Sequence, residues 1–270
     1  MVRGPHHAGA CRRRRDRVAN GESLCQRREC ALPLELIDLF PKPYEIWNTR
    51  DATFDELMAL GRYHFQVPTT LKARIGDAVD AATFIAMEGT DQRLRNYIND
   101  VLDSSEEHKV WRRSMPPVTP TQIATYQKAM PTCNLGLVSQ EICAIGQVLS
   151  PGQRLFHAGV WPDSGLLTTN RPLSTSFCPD VALRNAEHRG KAYHSGRIDL
   201  LVLEAYSPAT PVFVYRRKGT TSGHENEVLF ATGAQVTITG SNPVRADYPV
   251  SSDGVNRKLV AIYVHTALIS

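Results

Sequence analysis

Apolar positions change period once along this chain. From about Leu32 to Leu149 they recur at helical spacing, and after Ser150-Pro151-Gly152 they alternate. In the first half, Thr53-Phe54-Asp55-Glu56 is a capping box, in which hydroxyl and carboxylate each satisfy the other residue's free backbone N–H. Phe54, Leu57, Met58 and Gly61 follow on one face. Leu94, Tyr97, Ile98, Val101 and Leu102 share a helical face between Thr90 and Asp103, which leaves Arg93, Arg95, Asn99 and Asp100 outward. Thr119-Pro120-Thr121-Gln122 predicts another helix start and Pro131 its end, and Leu137 to Leu149 predicts a further helix.

The second half reads as strands at Arg154–Val160, Leu173–Phe177, Ile198–Tyr206, Pro211–Tyr215, Glu227–Phe230, Gln235–Thr239 and Leu259–Leu268, separated by Gly, Pro, Asn, Ser and Asp clusters. A short helix from Pro179 to about His188 interrupts them. The expected class is α+β: an Arg-rich disordered arm over residues 1–30, a helical lobe over 31–150 and a β-core over 151–270.

Composition narrows the function more than the fold. The net charge of +4 is small for 270 residues, and much of the excess sits in Arg12, Arg13, Arg14, Arg15, Arg17, Arg27 and Arg28, so the folded body is not expected to bind nucleic acid. No run approaches the ~18 apolar residues of a membrane span, and no apolar segment follows the basic N-terminus, so neither a spanning protein nor a Sec-exported one is expected. The six cysteines lack paired zinc-site spacing and read as reduced thiols, and the histidines lack the spacing of a metal site. Glycine-rich phosphate-binding fingerprints are also lacking.

Three pieces could carry chemistry. In Glu225-Asn226-Glu227, an extended backbone would put both carboxylates on one face, although a solvated strand end is the commoner meaning of such a pair. Hydroxyls in Leu173-Ser174-Thr175-Ser176-Phe177 are ordinary by strand propensity. His157, within Leu155-Phe156-His157-Ala158-Gly159, is either a satisfied core residue or a ligand contact.

In this order and spacing, the three pieces resemble the signature of the mono-ADP-ribosyltransferases: a strand-borne Arg or His, a Ser-Thr-Ser strand, then Glu-x-Glu. The resemblance implies the split β-sandwich core of that family after a helical lobe, with NAD as substrate and no metal. It implies that Glu227 stabilises the oxocarbenium ion formed as the glycosidic bond breaks, and that Glu225 orients and helps deprotonate an acceptor guanidinium. The acceptor implied is therefore arginine on a host protein. Ser174 would position Glu227 and the nicotinamide ribose, Thr175 and Ser176 would support the pocket wall, and Phe177 or Tyr193 would face the nicotinamide.

The first strand departs from the arginine-modifying pattern, because His157 stands where those members carry Arg. A His there is similar to the diphtheria-toxin and poly-ADP-ribose-polymerase branch, which implies that His157 contacts the adenine-side ribose and that Ala158 binds the nicotinamide amide through its backbone. Arg154, Arg171 or Arg184 could assist, although Arg154 is out of phase with His157 on a strand. Two alternatives remain beside the transferase: a non-catalytic binding module of the same fold, and an NAD glycohydrolase in which water replaces the acceptor. The loose leader without a Sec signal is similar to type III secreted effectors of plant-pathogenic bacteria, among them the Xanthomonas outer protein AI family. That implies delivery by a non-Sec route into host cytosol.

Overall fold

A capping box and a helical apolar stripe do what their residues dictate. Thr53 Oγ1 accepts from the Glu56 N–H while the Glu56 carboxylate accepts from the Thr53 N–H, and the helix they start closes on Gly61 in the left-handed conformation. The computed structural model describes residues 32–61, 63, 65–129, 132–162, 165–215 and 226–270. The Arg-rich arm, Pro131 and Glu225 lie outside them.

Among the described residues the elements run β1 (Tyr44–Asp51), α1 (Phe54–Leu60), β2 (Gln66–Ile75), α2 (Ala78–Glu88), α3 (Gln92–Ser104), α4 (Glu106–Ser114), α5 (Thr121–Ala129) and α6 (Leu135–Ile145). Then come β3 (Arg154–Gly159), β4 (Leu166–Thr168), β5 (Leu173–Ser176), α7 (Pro179–Glu187), α8 (Lys191–Ser195), β6 (Arg197–Ala205), β7 (Val212–Val214), β8 (Glu227–Phe230), β9 (Gln235–Ser251) and β10 (Arg257–Ile269). The α+β class holds, but the first half is not purely helical. β1 and β2 form an antiparallel hairpin in which Ile46 and Ile75 turn inward, while Pro68 and most of the polar residues face solvent. Nor is it a separate lobe. One continuous core runs from Leu34 to Ile269, with α2 packed on β6, β9 and β10.

Helix α3 buries Leu94, Ile98 and Leu102 as the periodicity predicts. Two of its residues expected to face outward instead reach the β-core. Arg95 pairs with Asp180 at the start of α7, and Asn99 Oδ1 accepts from Asn226 Nδ2 at 2.7 Å. The cysteines also depart from expectation, since Cys143 on α6 is disulfide-bonded, while Cys178 is a buried thiol.

Eight strands form one sheet in the order β4-β9-β10-β6-β3-β5-β8-β7, in which β10 and β6 are parallel. β3 pairs with β6 along its whole length but with β5 only where Phe156 faces Ser176. The sheet is thus continuous but all but divided at the β3–β5 joint, and the site lies there.

Candidate active site

A cavity of about 720 Å³ occupies the β3–β5 joint, within the ~300–1,000 Å³ common for small-molecule sites. Its walls include His157, Ala158, Trp161, Arg171, Ser174, Lys191 and Glu227, with Tyr126 and Gln127 from α5. Most residues of two of the three pieces singled out in the sequence therefore meet on this wall, and the third contributes Glu227.

Ser174 stands at the centre. Its Oγ–H donates to Glu227 Oε1 at 2.5 Å, and its carbonyl oxygen accepts from His157 Nδ1–H at 2.7 Å. Glu227 is almost wholly buried, and its second oxygen lies 3.4 Å from Gln127 Nε2. A carboxylate with a short bond on one oxygen is held in one rotamer, which is the preorganisation that stabilising a developing cation requires. Thr175 Oγ1 donates to the Val228 carbonyl at 2.7 Å and so ties β5 to β8, while Ser176 Oγ accepts the Cys178 N–H at 3.0 Å at the turn into α7. Both hydroxyls support the wall.

The residue before Glu227 corrects one expectation. Asn226 has φ of 48°, a left-handed conformation that Asn tolerates better than most side chains, so the backbone is not extended there. The extended backbone expected across this piece is thus interrupted at Asn226. Asn226 is buried, and its bond to Asn99 holds this turn against α3.

His157 is a neutral ring. Burial, opposed by the Ser174 carbonyl and reinforced by the charges of Arg171 and Lys191, pushes its pKa down to about 4. Because Nδ1 carries the proton given to Ser174, Nε2 is left as an acceptor. An unfolded chain would take up a proton on this ring near pH 6.5 and the folded protein only near pH 4, so folding stability falls as pH drops through that window. The ring is partly open to the cavity, so the expected loss is about 2 kcal/mol, below the full value of the shift. His157→Asn keeps a donor for Ser174 without a titrating ring, and urea denaturation at pH 7 and pH 4 should show a smaller acid loss by that amount. An unchanged loss would remove His157 as its source.

Neither aromatic expected to face the ligand does so. Phe177 is fully buried, tilted against Trp111 and edge-on to His108, because the strand turns into α7 with Phe177 directed to the core. Tyr193 lies off the cavity wall, against His194 and under Lys258. The aromatic on the wall beside His157 is Trp161, whose ring meets the imidazole edge-on at 5.5 Å. Its backbone N–H donates to Asp199 Oδ2 at 2.8 Å, and Asp199 is itself fully buried between Arg197 and His265. The sequence signal for Trp161 was its place two residues beyond β3. Gln127 and Tyr126 carried no signal, because they reach the site from a helix a hundred residues before Glu227.

Arg154 points away from the cavity to Glu204 and Asp77, as its strand phase predicts, and Arg184 is exposed and off the wall. Among the described residues no group of His, Cys, Asp and Glu could hold a metal ion. Among the described residues no helix is long and apolar enough to cross a membrane.

No family model and no curated protein matches the chain. Among solved structures it is similar to Plx2a, an ADP-ribosyltransferase toxin from Paenibacillus larvae, at 12% identity and a TM-score of 0.39 over 60% of this chain and 90% of that one. It is also similar to the ADP-ribosyltransferase Vis in complex with agmatine, at 13% identity and 0.33 over 71% and 82% of the two chains. A further similar structure is C3stau2 from S. aureus with NAD, at 13% identity and 0.32 over 67% and 96%.

Proposed function

We propose that this protein is a mono-ADP-ribosyltransferase that moves ADP-ribose from NAD to a protein acceptor. The observation that carries the reading is the Glu227 carboxylate fixed by Ser174 on the wall of a cavity beside a neutral His157. In this reaction the bond between the ribose anomeric carbon and the nicotinamide nitrogen breaks, nicotinamide leaves with the bonding pair, and positive charge grows on the ribose. A buried, oriented carboxylate lowers the energy of that charge far more than a solvated one would. An acceptor nitrogen then attacks the anomeric carbon and loses its proton. His157 Nε2, an acceptor, suits a ribose hydroxyl, and Ala158 offers its backbone to the amide.

Glu225, through its place in Glu-x-Glu, supports arginine as the acceptor residue. The leader and the motif resemblance support an effector or toxin delivered into a host cell by a non-Sec route, of the kind the Xanthomonas outer protein AI family represents. A non-catalytic binding module would be favoured by a cavity without cations, whereas this one has Arg171, Lys191 and Arg197 on its wall. Incubating the protein with NAD labelled in the adenylate and a host lysate tests the reading. Label should enter protein as nicotinamide is released. Nicotinamide release without protein label would make the enzyme a glycohydrolase, and neither event would end the proposal.

A further inference from the structure

We infer that the pyrophosphate of the dinucleotide is held by Arg171, on the turn before β5, and Lys191, at the start of α8, and not by the first core strand. The inference rests on the NAD reading and assigns a part of that site which the sequence left open.

Elimination comes first. His157 cannot serve, because its only donor is committed to the Ser174 carbonyl and Nε2 presents a lone pair, which repels a phosphate oxygen. Arg154 is engaged with Glu204 on the other side of the strand. Arg197 lines the cavity, but its guanidinium makes a paired contact with the buried Asp199 carboxylate, which offsets its charge. Arg184 does not line the cavity.

Arg171 and Lys191 remain, and both lie on the wall with their side chains exposed. Among the described residues neither forms an ion pair, and the Lys191 ammonium donates a long hydrogen bond of 3.3 Å to the Asn185 carbonyl. The two cations also sense each other: burial and then the charge of Arg171 lower the Lys191 pKa. Arg171, Lys191 and Glu227 line the same cavity. Two like charges gathered at one cavity, with no counter-ion among the described residues, suit an anion bound by both. A pyrophosphate has that charge, and in NAD it joins the nicotinamide ribose, which Glu227 would face, to the rest of the molecule.

Binding of three probes by calorimetry separates the possibilities: NAD, ADP-ribose and nicotinamide riboside, the last having no phosphate. Arg171→Ala and Lys191→Ala should each weaken NAD and ADP-ribose about 10-fold, about 1.4 kcal/mol, and the double variant about 100-fold, since each removes one charge-assisted contact to the phosphates. Riboside affinity should stay within about 2-fold, Arg171→Lys should retain most of the affinity for NAD, and Arg184→Ala should match wild type. A double variant that binds NAD as wild type does overturns the clamp while leaving the NAD reading intact. Equal weakening of the riboside overturns it too, since the pair would then only shape the cavity. If wild type binds neither NAD nor ADP-ribose, the clamp falls together with the NAD reading.

Discussion

Glu227→Gln is expected to lower the rate of nicotinamide release about 10³-fold with the protein still folded. The substitution keeps shape and an oxygen for Ser174 Oγ, so circular dichroism and the thermal midpoint should barely move. What it removes is a full negative charge in a site where Glu227 is only 7% exposed. Electrostatic stabilisation is strongest in such low-dielectric surroundings, and removal of even one neutral donor in comparable sites costs about 10²–10³-fold. Ser174→Ala should cost less, about 10-fold in kcat with KM little changed, because it frees the carboxylate to rotate without discharging it. Nicotinamide release followed by chromatography measures both. A Glu227→Gln protein that retains a tenth of wild-type turnover would sink the catalytic assignment.

Arg95→Ala should destabilise the protein by about 3–5 kcal/mol, the usual consequence of stripping one partner from a buried ion pair. Asp180 is fully buried, and Arg95 reaches it with two guanidinium nitrogens, Nε at 2.8 Å. With Arg95 removed, the carboxylate retains the Asp91 N–H at 3.0 Å, which is too little for a charge away from water. The damage should spread, because Asp91 is the N-cap of α3 and accepts from the N–H groups of Arg93 and Leu94. Arg95→Met combined with Asp180→Leu removes both charges and should recover most of the loss. Urea denaturation of the three variants checks this. An Arg95→Ala midpoint close to wild type would mean that water or a rearranged partner replaces the guanidinium.

These two residues show how far the sequence could be read. α3 and its buried stripe were legible from spacing alone, yet Arg95 and Asn99 were assigned to solvent, because periodicity reports which face is apolar and says nothing of polar partners 85 or 127 residues away. α1 was legible because its capping box is a local device. The β1–β2 hairpin was missed for the opposite reason. Its strands are mostly exposed on both faces, so no alternation marks them. β9 was read only to Thr239, because Gly240-Ser241-Asn242-Pro243 looks like a turn, whereas register shifts against β10 carry the ladder through it. At the site, Ser174 and Glu227 were legible through the motif order. The left-handed Asn226, the buried Phe177 and the place of Trp161 beside His157 were not, since each depends on how neighbouring strands diverge.

The place of β10 in the sheet has a consequence for how the molecule is assembled. It is the last strand in sequence but lies inside the sheet, between β9 and β6, parallel to one and antiparallel to the other. Until β10 is in place, β6 has an open edge carrying six buried apolar residues in a nine-residue strand, and β9 with β4 has no partner on that side. During synthesis the cavity-bearing strands β3 and β5 are therefore made long before the sheet that supports them can close. Such non-local pairing folds slowly and exposes sticky edges meanwhile. A chain shortened before Arg257 should accumulate as aggregate, whatever the integrity of its catalytic strands.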